Sequence, residues 1–244
     1  MTAIDNSIGS LLKHNFGFEP EELSQIVCKA KSSARVKPVL RIPMEPKPAF
    51  EFLLQCYVQE VTSRNRNFIL DENTALSMTA VINELTKERP RPGIILSGLR
   101  GTGKTSLAKA IRRMMNILDD RKCFRYIYEF FKLESQMMTA SAICTEYRQE
   151  NNERIRKLQT TPLLIIDDLG EEQKEVVVYG NPIYPMRQLL EYRYEEQLFT
   201  IITTNLTPKD LPERYGWRVV DRIREVYFRI AHKGGSYRKE EENG

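Results

Sequence analysis

The sequence predicts an α/β fold in which a parallel five-stranded sheet carries helices on both faces. Three observations predict it. Strand-like apolar runs alternate with helical patterns, and Leu163-Leu164-Ile165-Ile166 is apolar at every position, as in a strand covered on both sides. A glycine-rich turn also joins the strand-like Ile94-Ile95-Leu96 to an amphipathic helix. At 244 residues the chain has room for one large domain and a small appendage.

The first 32 residues read as short helical pieces, and Pro38, Pro43, Pro46 and Pro48 then mark an extended linker. Residues 1–48 are therefore expected to be a small helical N-terminal extension with its linker, and residues 49–244 the main domain. From Ala49, the apolar positions Phe50, Leu53, Leu54, Tyr57, Val58 and Val61 follow helical spacing. Asp71 can cap a second helix with the stripe Ala75, Met78, Val81, Ile82 and Leu85, which Pro90 and Pro92 end. After the glycine-rich turn, Leu107, Ile111, Met114, Met115 and Leu118 mark the inner side of a third helix. Phe124–Leu133 is aromatic enough for a strand, and Thr139–Leu158 reads as one helix, increasingly charged toward its end. Met186, Leu189, Leu190 and Tyr194 give another helix, with strands at Phe199–Thr203 and Val226–Ile230. The apolar connection from Glu171 to Pro185 is either an interface loop or an extra strand.

Composition excludes several classes. A hydrophobic share of 41% with 29% charged residues is ordinary for a soluble globular protein. No apolar stretch approaches the ~20 residues of a membrane span, and Met1–Pro20 has no secretory core, so no membrane partner and a cytoplasmic location are expected. Cys28, Cys56, Cys123 and Cys144 are widely spaced, which gives neither a zinc knuckle nor a redox pair. The net charge of +4 suits nucleic acid but does not require it. The basic residues Arg148, Arg154, Arg156 and Lys157 are interleaved with Glu150 and Glu153, so a solvated helix face explains them without a ligand.

Gly98-Leu99-Arg100-Gly101-Thr102-Gly103-Lys104-Thr105 fits G-x-x-x-x-G-K-[ST], a phosphate-binding loop. Its glycines let main-chain N–H groups turn toward phosphates, and the N-terminus of the following helix adds partial positive charge. Lys104 would reach the β- and γ-phosphates of a nucleoside triphosphate, and Thr105 would help hold Mg²⁺. Asp167 and Asp168 end the strand Leu163–Ile166, about 60 positions after Lys104. The carboxyl ends of strands line the ligand crevice of such sheets, so Asp167 would bind Mg²⁺ and Asp168 would orient or deprotonate the attacking water. Asn205 ends Thr200-Ile201-Ile202-Thr203-Thr204 and can donate toward a γ-phosphate; a turn-capping Asn is the plainer explanation. Arg218 and Arg222 lie four apart, on one helix face, and carry forked donors suited to phosphoryl oxygens. An exposed basic helix paired with Asp221 and Glu225 would look the same.

In this order the phosphate loop, Ile165-Ile166-Asp167-Asp168-Leu169-Gly170, Thr200–Leu206, Tyr215–Glu225 and Gly235-Ser236-Tyr237-Arg238 resemble the DnaC/IstB-like AAA+ ATPases, bacterial helicase loaders and transposition helpers. The resemblance covers roughly Phe68 to Arg238. It implies a P-loop AAA+ core without a C-terminal lid domain. It also implies Gly98, Arg100–Ser106, Arg218 and Arg238 as ATP-binding residues, with Lys104, Asp168, Asn205 and Arg222 catalytic and Thr105 and Asp167 on Mg²⁺. In that scheme Asn205 is the sensor, Arg222 the arginine finger and Arg238 a late phosphate contact. The partners implied are DNA, single-stranded being the expected form, a replicative helicase gripped by the N-terminal extension, and further copies of the chain. A transposase is the alternative client. A P-loop kinase for a small molecule and a non-hydrolysing nucleotide switch are the competing classes.

Overall fold

The computed structural model describes residues 40–120, 133–233 and 237. The N-terminal helical pieces and Arg238 lie outside them, as does the strand expected at Phe124–Leu133, except for Leu133.

Among the described residues, two helices precede the sheet. Helix α1 spans Pro46–Thr62 and buries Ala49, Leu53, Cys56 and Tyr57; α2 spans Glu72–Thr86. Pro46 opens α1, where a missing N–H breaks no helical bond. Asp71 caps α2 as expected, its Oδ1 accepting from Thr74 N at 2.9 Å. Packing into the core begins earlier than Ala49, because Leu40 and Ile42 are fully buried and Ile42 N donates to Leu85 O of α2 at 2.8 Å. Each such aliphatic side chain contributes roughly 1.5–3 kcal/mol through burial.

Strand β1 (Gly93–Ser97) leads through the phosphate loop into α3 (Lys104–Asp120). Then follow β2 (Ser135–Thr139), α4 (Ala140–Arg148), α5 (Asn152–Thr160) and β3 (Leu163–Leu169). The single helix expected over Thr139–Leu158 is thus two. Glu150 takes a left-handed backbone (φ 53°), and the Asn151 side chain accepts from Arg154 N at 3.2 Å to start α5. The connection after β3 is a hairpin, β4 (Val176–Val178) and β5 (Asn181–Ile183), which answers the question its sequence left open. Tyr179 and Gly180, at φ 47° and 79°, form a two-residue turn with both central residues at positive φ, matching the twist of paired strands. The chain continues through α6 (Pro185–Glu195), β6 (Phe199–Thr204), α7 (Asp210–Tyr215), α8 (Trp217–Val226) and β7 (Tyr227–Ala231).

The main sheet is parallel, in the order β2-β3-β6-β1-β7. Strand alternation divides the core. Leu163, Ile165 and Ile201 face α1, α2 and α3, whereas Leu164, Ile166 and Ile202 face the layer containing α4, α6 and α8. The chain passes from β1 to β3 and back to β6 between them, so the carboxyl ends of β1, β3 and β6 meet at a reversal of strand order, where such sheets bind ligands. Among the described residues, no helix is long and apolar enough to cross a membrane. Cys56 and Cys144 are buried free thiols, both pushed up to about 11, chiefly by burial.

Candidate nucleotide site

The phosphate loop fits its surroundings closely. A Cβ at Gly98 would stand 2.2 Å from the His232 main-chain oxygen, and Gly103 combines φ 95° with a Tyr57 hydroxyl 2.7 Å from where its Cβ would be. No larger residue fits either position. Thr102 is buried, and its hydroxyl donates to Leu99 O at 3.0 Å, which fixes the loop's internal turn. The loop then enters α3 at Lys104, placing the helix N-terminus at the cleft.

Lys104 is 95% buried and aims its ammonium across the loop. Nζ donates to Gly98 O at 2.9 Å, Leu99 O at 2.6 Å and Asn205 Oδ1 at 3.0 Å. The fold therefore brings the loop lysine, after β1, and the asparagine that follows β6 into direct contact. Thr105 Oγ1 donates to Asp167 Oδ1 at 2.8 Å, and Thr203 Oγ1 donates to the same oxygen at 2.6 Å. A hydroxyl and a carboxylate side by side are hard oxygen donors of the kind Mg²⁺ takes, with nucleotide phosphates and water filling its other positions.

Asp168 occupies a break in the sheet. The β3–β6 register shifts between Ile166 and Leu169, Asp168 has φ 55°, and its N–H donates to Thr203 Oγ1 at 2.9 Å. A non-glycine residue held in this conformation by its neighbours is typical of a functional turn, and here it points the strand end into the cleft. That cleft measures about 860 Å³ and includes Lys104, Thr105, Ser106, Asp168 and Asn205 in its wall.

The aromatic part of its wall was not anticipated as a site. Tyr57 and Phe68 meet edge to face there, 6.1 Å between ring centroids, joined by Ile69 and Tyr237. Tyr237 is tied in place by its N–H to Gly101 O at 3.0 Å and by a 3.0 Å contact between its hydroxyl and that of Thr74. Glu171 is a second addition. It bridges Arg100, at 2.5 Å, and Asn205 Nδ2, at 3.2 Å, and those hydrogen bonds, Arg100 first, hold its carboxyl below the usual range. Its neighbour Glu172 is structural: its buried carboxylate accepts from Tyr215 Oη at 2.7 Å and pairs with Arg214 at 3.2 Å.

Arg218 and Arg222 share a face of α8 as expected, but neither is in the wall of this cleft. Arg222 pairs with Glu195 at 2.8 Å and lies 4.9 Å over the Tyr194 ring; Arg218 is 3.8 Å from Glu191.

Solved structures share this fold. DnaI (23% identical, TM-score 0.51) matches over 71% of this chain and 89% of its own. A putative primosome component from Streptococcus pyogenes serotype M3 (20%, 0.51) matches over 70% and 85%. The DnaC helicase loader is 22% identical over 68% of this chain and 94% of its own, at a TM-score of 0.49. No curated protein matches the sequence. The model of the ATPase family associated with various cellular activities matches residues 94–228, from the strand before the phosphate loop to the last strand of the sheet. With more than half of its length in that match, the chain belongs to the AAA family.

Proposed function

We propose that the protein binds and hydrolyses Mg-ATP and that nucleotide binding drives its assembly on DNA with a client protein, in the manner of a replicative helicase loader. The observation that carries this reading is the joining of Lys104 to Asn205 and of Thr105 to Asp167 at one cleft. In the reaction Lys104 holds the β- and γ-phosphates, and Asp167 with Thr105 holds Mg²⁺, which neutralises charge on the phosphoryl oxygens. Asp168 takes or orients the proton of the attacking water, while Asn205 donates to that water or to the γ-phosphate.

Arg222 supports assembly because its guanidinium lies on α8, outside its own chain's cleft. It acts on the site of the next protomer, with Arg218 beside it, and Arg238 remains a proposed phosphate contact. For DNA, the β4–β5 hairpin offers Tyr179, 87% exposed, as a base-stacking surface. The motif resemblance to helicase loaders motivates the choice of a helicase as client over a transposase, and residues 1–48 are its proposed grip.

The test is ATP hydrolysis over a range of protein concentrations, with and without single- or double-stranded DNA. Arg222→Ala and Asp168→Ala should each be inactive alone and regain activity when mixed, since the second then supplies Arg222 to the intact Asp168 of the first. Hydrolysis that is independent of concentration and unchanged in Arg222→Ala would reject the shared site. Binding without turnover under all conditions would identify a nucleotide switch instead.

A further inference from the structure

Glu171 stands between the phosphate loop and the end of β6. One carboxylate oxygen accepts from Arg100 at 2.5 Å, and the other from Asn205 Nδ2 at 3.2 Å. Asn205 Oδ1 accepts from Lys104 Nζ at 3.0 Å, so a single chain of hydrogen bonds runs Arg100–Glu171–Asn205–Lys104. The amide of Asn205 is oriented by this chain: its NH₂ must face the carboxylate and its oxygen the ammonium. Both donors that Glu171 engages line the cleft, and both are of the kind a terminal phosphate takes.

We propose that Glu171 is a specificity-determining residue, an internal anion that competes with the γ-phosphate for Arg100 and Asn205 and so sets the preference for triphosphate over diphosphate. The proposal rests on the ATP reading above. A triphosphate displaces the carboxylate from one or both donors, whereas a diphosphate is too short to reach them and leaves the chain intact. The ion pair contributes little to folding stability. Its partners are 70% and 41% exposed, and pairs that open to solvent contribute little to stability.

Equilibrium titration with Mg-bound AMP-PNP and with Mg-ADP tests this in the full chain. Glu171→Gln and Glu171→Ala should bind AMP-PNP about tenfold more tightly, within the range by which members of one network couple, with ADP affinity unchanged. The gain should shrink when Arg100→Ala is added and disappear when Asn205→Ala is added as well. A general loss of negative charge would tighten both nucleotides equally, and a structural role would weaken both; either result overturns the proposal while leaving ATP binding standing. A wild-type chain that binds neither nucleotide, or a Lys104→Ala chain that binds both as well as wild type, overturns the ATP reading and the role of Glu171 with it.

Discussion

Thr105 Oγ1 donates to Asp167 Oδ1 at 2.8 Å, although 62 positions separate the two residues. Thr203 saturates the same oxygen from a third element, at 2.6 Å. Asp167 is 93% buried, and these neutral donors orient its carboxylate without cancelling its charge, leaving that charge available to a cation. Asp167→Asn keeps the shape and removes the charge. It should raise the Mg²⁺ concentration needed for tight ATP binding by at least about tenfold, with Thr105→Ala in the same direction and smaller. Titrating Mg²⁺ at fixed nucleotide measures both, and unchanged midpoints would place the metal elsewhere.

Much of this arrangement is written locally in the sequence. The phosphate loop is a contiguous motif, and β3 up to Ile166 is apolar while β6 joins apolar residues to buried threonines, because both faces and both edges are covered, so Asp167, Asp168 and Asn205 stand out where those runs end. Strand β2 does not announce itself. It is an edge strand of mostly half-buried side chains, and Ser135-Gln136-Met137-Met138-Thr139 satisfies that environment with a single β-branched residue, the exposed Thr139 at its end. Glu171 and the aromatic wall of Tyr57 and Phe68 belong to no motif; only three-dimensional proximity marks them. The placement of Arg218 and Arg222 outside the cleft likewise follows from packing of α8 on α6, which a helical spacing of arginines does not encode.

Arg193 would be read as exposed by composition alone, yet it is 99% buried on α6. Its guanidinium donates to the Leu158, Gln159 and Thr161 carbonyls, to Phe199 O and to Thr200 Oγ1, all at 2.8–3.2 Å, and so ties the end of α5 to the start of β6. Truncation would leave several buried acceptors without donors, each worth about 1–3 kcal/mol. Arg193→Ala should therefore destabilise the fold by at least about 3 kcal/mol, and Arg193→Lys by nearly as much, because an ammonium cannot reproduce the planar fork. Urea denaturation at constant m-value measures it; a loss below about 1 kcal/mol would mean that water or relaxation satisfies those carbonyls.

His232 packs against the phosphate loop and should make the fold sensitive to mild acid. It is 99% buried, its N–H donates to Ser97 O at 2.7 Å, and Nδ1 lies 2.8 Å from Ser77 Oγ. Nε2 faces the Thr102 main chain without a hydrogen bond of normal geometry. Burial pulls its pKa below the ordinary 6.5; the Thr102 main chain and Asp71 oppose that shift, and the Lys104 charge adds to it. The unfolded chain therefore takes up the proton first as pH falls. Stability is full above about pH 6.5 and declines below it until the folded-state pKa is reached. The carboxylates with lowered pKa, Glu171 and Asp210, titrate at lower pH and do not act in this window. The fall in Tm between pH 7.5 and 5.5 should accordingly be smaller in His232→Gln than in the wild type, even if the variant is less stable at both. Equal slopes would show that His232 keeps an ordinary pKa and that its burial has no consequence for acid sensitivity.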